Sequence, residues 1–119
     1  MEIIIDLPWP PSTNSIWRSA GRHVYRSKEY TAWIAQAHGE KLIQKIKKNI
    51  KGKFEAFIVL NPPDKRQRDI DNYHKAILDF AQASKMIEND QLCQKLTVVW
   101  SDLRSTIGGA RLILTQWYT

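Results

Sequence analysis

The chain contains a single cysteine, Cys93, in 119 residues. One thiol excludes an intrachain disulfide and a thiolate-rich zinc site, and it is the usual content of a reducing compartment. Long apolar runs are missing as well. Ile3 to Ile5 is far shorter than a signal-peptide core and follows acidic Glu2 rather than a basic segment. Nothing approaches the roughly 20 apolar residues that span a bilayer. The expectation is a soluble, unprocessed cytoplasmic protein with no membrane contact. Acidic residues are the minority: 12 Asp and Glu against 18 Lys and Arg leave a net charge of +6 and a pI near 9.6. That balance suits an anionic partner such as nucleic acid, although charge alone does not identify one. At 119 residues and 43% hydrophobic, the chain can bury one core and is too short for two ordinary domains. One domain over 1–119 is expected.

Residues 2–7, EIIIDL, have the β-branched content of a strand, stopped by Pro8, Pro10 and Pro11. Two short runs on either side of Ala20-Gly21, between Ile16 and Arg26, suggest a hairpin carrying Arg18, Arg22, His23 and Arg26 into solvent. Ser27 is placed as the N-cap of a long helix ending near Gly52. On that helix Tyr30, Trp33, Ile34 and Ala37 form one stripe, and Leu42, Ile43, Ile46 and Ile50 another on nearly the opposite side. One core cannot accept both, so the helix bends near Gly39 or presents one stripe to a second subunit, the reading favoured here. Lys41, Lys45 and Lys48 fall on a third line, expected to be solvated. Residues 53–60 form a second strand and 61–68, NPPDKRQR, a polar basic loop. Tyr73, Ala76, Ile77, Phe80, Ala81 and Ile87 mark a second amphipathic helix, with Lys75, Asp79, Gln82 and Lys85 opposite. Strands at 95–101 and 110–117, joined by a loop containing Gly108-Gly109, complete an α+β domain with a mixed sheet and two main helices.

Chemistry concentrates where the basic loop enters the second helix. Asp69 and Asp71 straddle Ile70, so their carboxylates can share one side of the backbone as a metal pincer. Asp71 is equally a good helix N-cap, a role that would occupy its carboxylate. Lys75 follows one helical turn after Asp71, where an ammonium can hold a phosphate or stabilise a leaving oxygen; its plain alternative is an i, i+4 ion pair with Asp71 or Asp79. In the turn IENDQ either Asp90 or Glu88 can supply a third carboxylate. Lys65, Arg66 and Arg68 set a phosphate-seeking loop against this acidic cluster. Hard oxygen ligands select Mg2+, with Mn2+ as a substitute, over zinc. Such an ion would polarise a phosphodiester and activate water for in-line displacement of the 3′ oxygen.

The segment RDIDNYHKAILDF at 68–80, the Asp90 beyond it and LPWPPSTN at 7–14 together resemble the RusA family of Holliday-junction resolvases. The resemblance covers most of the chain and its order of elements. It implies a RusA-like fold and a Mg2+-dependent homodimer that resolves four-way DNA junctions by paired symmetric nicks, in recombination and repair. It further implies metal-binding roles for Asp69, Asp71 and Asp90, choosing Asp90 over Glu88, and a catalytic role for Lys75. DNA contacts are implied for the loop of Lys65, Arg66 and Arg68 and for Asn72, with Asn14 either a DNA contact or a turn residue. The family's frequent place in prophages suggests a phage-derived protein. Two departures stand out: Gln67 interrupts the basic run, and Asn89 replaces an acidic neighbour of the last aspartate.

Two other functions remain open. One is a structure-selective DNA-binding module without cleavage, its carboxylates serving as caps and salt-bridge partners. The other is a nuclease for flaps, forks or RNA using the same site. His23, His38 and His74 lack metal-ligand spacing. Trp33, Trp100 and Trp117 are expected in the core, and Trp9, between prolines, is either a plug or a residue near DNA.

Overall fold

The computed structural model describes residues 1–102 and 108–118. Period-two alternation builds its sheet. In β1 (Glu2–Leu7), β4 (Phe54–Asn61) and β6 (Gly109–Gln116) every second side chain is buried, so one sheet face is continuous from Ile3, Ile5 and Leu7 through Leu112 and Leu114 to Phe54, Ile58 and Leu60. With β5 (Cys93–Trp100) the strand order is β1-β6-β4-β5. β6 lies antiparallel to both β1 and β4, with Leu112 opposite Ile5 on one side and Ile58 on the other. β5 runs parallel to β4, Ile58 opposite Val98. The sheet is therefore mixed, as expected.

Two helices cover the buried face. α1 (Lys28–Ile43) contributes Tyr30, Trp33 and Ala37, and α2 (His74–Ala83) contributes Ala76, Ile77, Leu78, Phe80 and Ala81. Trp33 meets Phe80 edge-on at 5.9 Å. Among the described residues no helix covers the other sheet face, which carries Ile4, 47% exposed, beside half-buried Phe57, Val59 and Ile113. Among the described residues, no helix is long and apolar enough to cross a membrane.

β2 (Trp17–Ala20) and β3 (His23–Arg26) form a separate antiparallel hairpin, exposed along both strands. Gly21 at its turn has φ +61, the left-handed conformation that a two-residue hairpin turn of type II′ demands at its first position.

The first helix ends at Ile43, not near Gly52. Lys45 takes a left-handed φ of 57, and the amides of Lys45 and Ile46 donate to the carbonyls of Leu42 and Lys41 at 3.1 Å each. These are the paired bonds of a Schellman stop, with lysine where glycine is usual. Gln44 secures it by bonding the Asp6 amide and carbonyl, at 2.9 and 2.7 Å. The two opposed stripes therefore never share one straight helix: it neither bends at Gly39 nor continues through Ile46. Ile50 is buried in a bridge to Ile87, whereas Leu42 and Ile43 stay 80% and 73% exposed. Nor do the three lysines form a solvated line, because Lys41 Nζ donates to the Ser84 carbonyl at 3.0 Å and the other two lie past the helix. Ser27 does cap α1, accepting from the Tyr30 amide at 3.1 Å.

The second helix is shorter than its apolar face suggests. Lys85 adopts φ 66 just beyond it, and Ile87 reaches the core from the following turn. β5 begins two residues before 95 and β6 one before 110. In the loop between them, 103–107 lie outside the described residues; Gly108, φ +75, packs so closely that a Cβ would sit 2.9 Å from Pro63. Lysine in the left-handed region costs about 1 kcal/mol. Lys45→Gly should therefore raise the unfolding free energy by that order in urea melts, with the denaturant slope unchanged.

Candidate active site on the β4–β5 crossover

Pro62-Pro63 end β4, and the loop that follows folds around one carboxylate. Asp64 accepts from the Arg66 amide at 3.0 Å, from the Arg66 guanidinium at 3.2 Å and from Arg68 Nη2 at 2.7 Å. The Arg66 amide, then the two guanidiniums, hold the Asp64 carboxyl far below the usual carboxylate range. Arg68 also donates to the carbonyls of Asp64 and Arg66, at 3.3 and 3.1 Å, and lies over the Trp9 ring at 5.3 Å. With its side chain 9% exposed, Arg68 staples the loop rather than offering a solvent-facing charge. Lys65 and Arg66 are the exposed cations here. Trp9 is a plug, packed on Tyr73 at 4.8 Å.

Ile70–Asn72 form a single 3-10 turn before α2. The sequence allowed Asp71 to cap the second helix, but Tyr73 holds that position and no side chain caps it. Asp69 and Asp71 are both exposed, and among the described residues neither carboxylate is engaged in a hydrogen bond or ion pair. Asp69, Asn72 and the loop line an open cleft that reaches Trp100 and Ser101. Trp100, expected in the core, is 39% exposed there because β5 is an edge strand. Thr13 Oγ1 donates to the Asn72 carbonyl at 3.0 Å, tying the N-terminal segment to the turn. Asn14 follows it, exposed, with its carbonyl accepting from Arg18 at 3.5 Å.

α2 then presents Lys75. Its Nζ stands between Asp79 Oδ1 at 3.0 Å and Asp90 Oδ2 at 3.3 Å. Asp79, foreseen only as a helix ion pair, belongs to the cluster, and its second oxygen receives the Tyr30 hydroxyl at 3.5 Å. Asp90 is positioned by its own amide, which donates to Gln82 Oε1 at 2.9 Å, and Asn89 caps the short turn by accepting from Gln91. Glu88 turns the other way, accepting from the Gly52 amide at 2.5 Å. The structure thus separates the two rivals: Asp90 meets Lys75 and Glu88 does not. Asp79 first, and Asp90 after it, raise the Lys75 pKa, keeping its ammonium charged. Burial, then the Asp79 charge, push the Tyr30 hydroxyl up to about 12. Burial likewise raises the Cys93 thiol, which makes it a poor nucleophile.

An all-carboxylate donor set suits a hard divalent cation. The donors stand apart, however: among the described residues no three acidic, histidine or cysteine side chains are grouped to hold an ion. Lys75 is the partner of the Asp90 carboxylate instead.

A family model described as endodeoxyribonuclease RusA matches residues 8–109. The chain belongs to the RusA family. It is similar to the crossover junction endodeoxyribonuclease RusA of Enterobacteria phage HK97, 30% identical over 95 residues and 78% of each chain. The protein of the same name from Aquifex aeolicus is 31% identical over 87 residues, 69% of this chain and 65% of its own. This membership places the loop, the turn and Lys75 inside the matched region, along with Asp90.

Two measurements check this geometry in the RusA-family chain. Arg68→Ala should cost about 1–3 kcal/mol, the usual loss for hydrogen bonds to a charged group, whereas Lys65→Ala should stay within about 0.5 kcal/mol; thermal melts compare them. Because Tyr30 ionises near 12 in the fold against 10.0 ordinarily, the unfolded chain loses its proton first. Stability should hold below pH 10 and fall as pH rises towards 12, and Tyr30→Phe should flatten that fall in melts across the range.

Proposed function

We propose that the protein is a Mg2+-dependent endodeoxyribonuclease that resolves Holliday junctions by paired symmetric nicks, acting as a cytoplasmic homodimer in DNA recombination and repair. The observation that carries this reading is the Lys75 ammonium held between two carboxylates on the crossover that also exposes Asp69 and Asp71. Asp69, Asp71 and Asp90 would hold the metal. Bound there, it would supply Lewis-acid polarisation of the phosphodiester and a more acidic water. Lys75 stabilises charge on the departing 3′ oxygen, and Asp79, itself met by Tyr30, keeps the ammonium in place. Binding the ion would require Asp90 to exchange its bond to Lys75. The basic loop contributes Lys65 and Arg66 to the DNA, with Asn72 and Asn14 at the cleft and its edge. The HK97 relative supports a phage-derived origin. A homodimer, needed to nick two strands, has apolar surface available at Leu42 and Ile43 or on the open sheet face around Ile4; sedimentation should return twice the 13.9 kDa chain mass.

A second reading, a structure-selective DNA-binding module without cleavage, draws on the same ion pairs as purely structural contacts. Labelled four-way junction, linear duplex and flap, each incubated with Mg2+, separate the possibilities. The expected result is symmetric nicks on the junction. Asp71→Asn should abolish them with junction binding retained, and Lys75→Met should slow cleavage by about 100-fold or more. Lys75→Met should cost under about 1 kcal/mol of stability, because the lysine is half exposed and screened by solvent. A junction left intact, with Mg2+ not altering binding and the Asp variants losing only stability, would establish the second reading. Preferential cutting of the flap would assign the site to other branched substrates.

A further inference from the structure

The loop that enters the candidate site is electrically balanced. Between residues 64 and 71 three cations, Lys65, Arg66 and Arg68, face three carboxylates, Asp64, Asp69 and Asp71, and Arg68 is consumed in holding the loop together. The net charge of +6 must therefore act from elsewhere. The β2–β3 hairpin holds three arginines and no acidic residue within 17–26. It is exposed along both strands, where an isolated two-stranded ribbon has little intrinsic stability.

Its register distributes the arginines in a specific way. Trp17 stands opposite Arg26, and Arg18 opposite Tyr25. Directly opposed residues share a face and successive ones alternate, so each face of the ribbon carries one arginine beside one aromatic ring. Trp17 and Tyr25 are each 51% exposed, and Val24 is 69% exposed. Large rings left in solvent on both faces, with guanidiniums beside them, fit a partner that offers phosphates and flat apolar rings together, which is nucleic acid.

The ribbon is rooted beside the cluster. Arg26 lies over the Tyr30 ring at 5.7 Å and Trp17 meets the same ring at 6.4 Å, while the Tyr30 hydroxyl reaches Asp79, the partner of Lys75. At the base the Ser27 amide donates to the Ile16 carbonyl at 2.9 Å, and Ile16 is buried, so the arm leaves a fixed point. Arg18 meets Glu29 only at 3.9 Å, with both side chains about half exposed or more, an ion pair weak enough to exchange for phosphate.

We propose that the β2–β3 hairpin is a DNA-binding arm: Arg18 and Arg22 contact the phosphates of a strand leaving the candidate site, and Tyr25 packs against its sugars and bases. This rests on the nuclease reading for its substrate, but its test does not depend on cleavage. Fluorescence anisotropy in EDTA measures binding to a four-way junction and to linear duplex over a salt series. The double variant Arg18→Gln/Arg22→Gln should weaken binding to both and reduce the slope of log Kd against log salt by about 2, one for each phosphate no longer neutralised. Tyr25→Ala should weaken binding about tenfold with the slope unchanged. Circular dichroism verifies the fold, and Arg22→Glu provides a single charge reversal should the double variant misfold; it should weaken binding and lower the slope by about 1 or more. Unchanged affinity and slope in folded variants overturn the arm. So does a weakening that tracks a change in sedimenting mass, which would assign the ribbon to self-association. If the wild type binds duplex as tightly as the junction, the variants still decide the arm on duplex, while nicking of the junction with Mg2+ decides the resolvase reading separately.

Discussion

Parallel pairing of β4 with β5 is the constraint on which the rest depends. Adjacent parallel strands cannot be joined by a tight turn, so the chain must leave the sheet and return through a long crossover. Here that crossover is the loop after Asn61, the turn at Ile70–Asn72, α2, and the turn at Asp90 that delivers β5. Every candidate metal ligand, and Lys75, lies on it. Its position is set by burial: Ile77, Ala76, Ala81 and Phe80 seal α2 on a sheet face whose central strand offers Phe54, Ala56, Ile58 and Leu60, none of them accessible. A polar stripe of Lys75, Asp79 and Gln82 is then forced outward, and the returning chain brings Asp90 against it.

Two electrostatic centres divide the crossover. In the loop, Asp64 gathers Arg66 and Arg68, which gives a basic segment a fixed shape at the expense of its outward charge. On the helix, Lys75 joins Asp79 to Asp90, so the ammonium bridges the helix and the returning turn. Between these centres Asp69 and Asp71 stand exposed. Their carboxylates lie in solvent beside the exposed Lys65 and Arg66. The hairpin adds its arginines from a different part of the chain, reaching the same centre through Tyr30.

Much of the fold was legible in sequence because it depends on local periodicity. β1, β4, the hairpin at Gly21 and the apolar face of α2 follow from alternation, turn chemistry and helical spacing. The end of α1 was not legible. Periodicity continues past Ile43, and Lys45 has no local reason to turn left-handed until Gln44 is fastened to Asp6 of β1. Asp71 illustrates the converse. Its residue type and place are those of a helix cap, yet the 3-10 turn sets α2 two residues later, so the carboxylate stays outside the cap.

The sequence alone offered the candidate groups: Asp69 and Asp71, Lys75, a third carboxylate at Glu88 or Asp90, a basic approach and one core's worth of apolar residues, since these follow from residue type and short spacing. Glu88 and Asp90 are equivalent by that measure, two residues apart in one turn. The family resemblance prefers Asp90, and the tertiary structure supplies the physical difference: Glu88 reaches Gly52 beside the Ile50–Ile87 bridge whereas Asp90 reaches Lys75. The same holds for Asp79, which local spacing allows to be an ordinary helix pair and which the approach of Tyr30 and Asp90 makes part of the cluster. Contacts across fifteen to fifty residues arise from how helices seat on the sheet, and no local pattern encodes that distance.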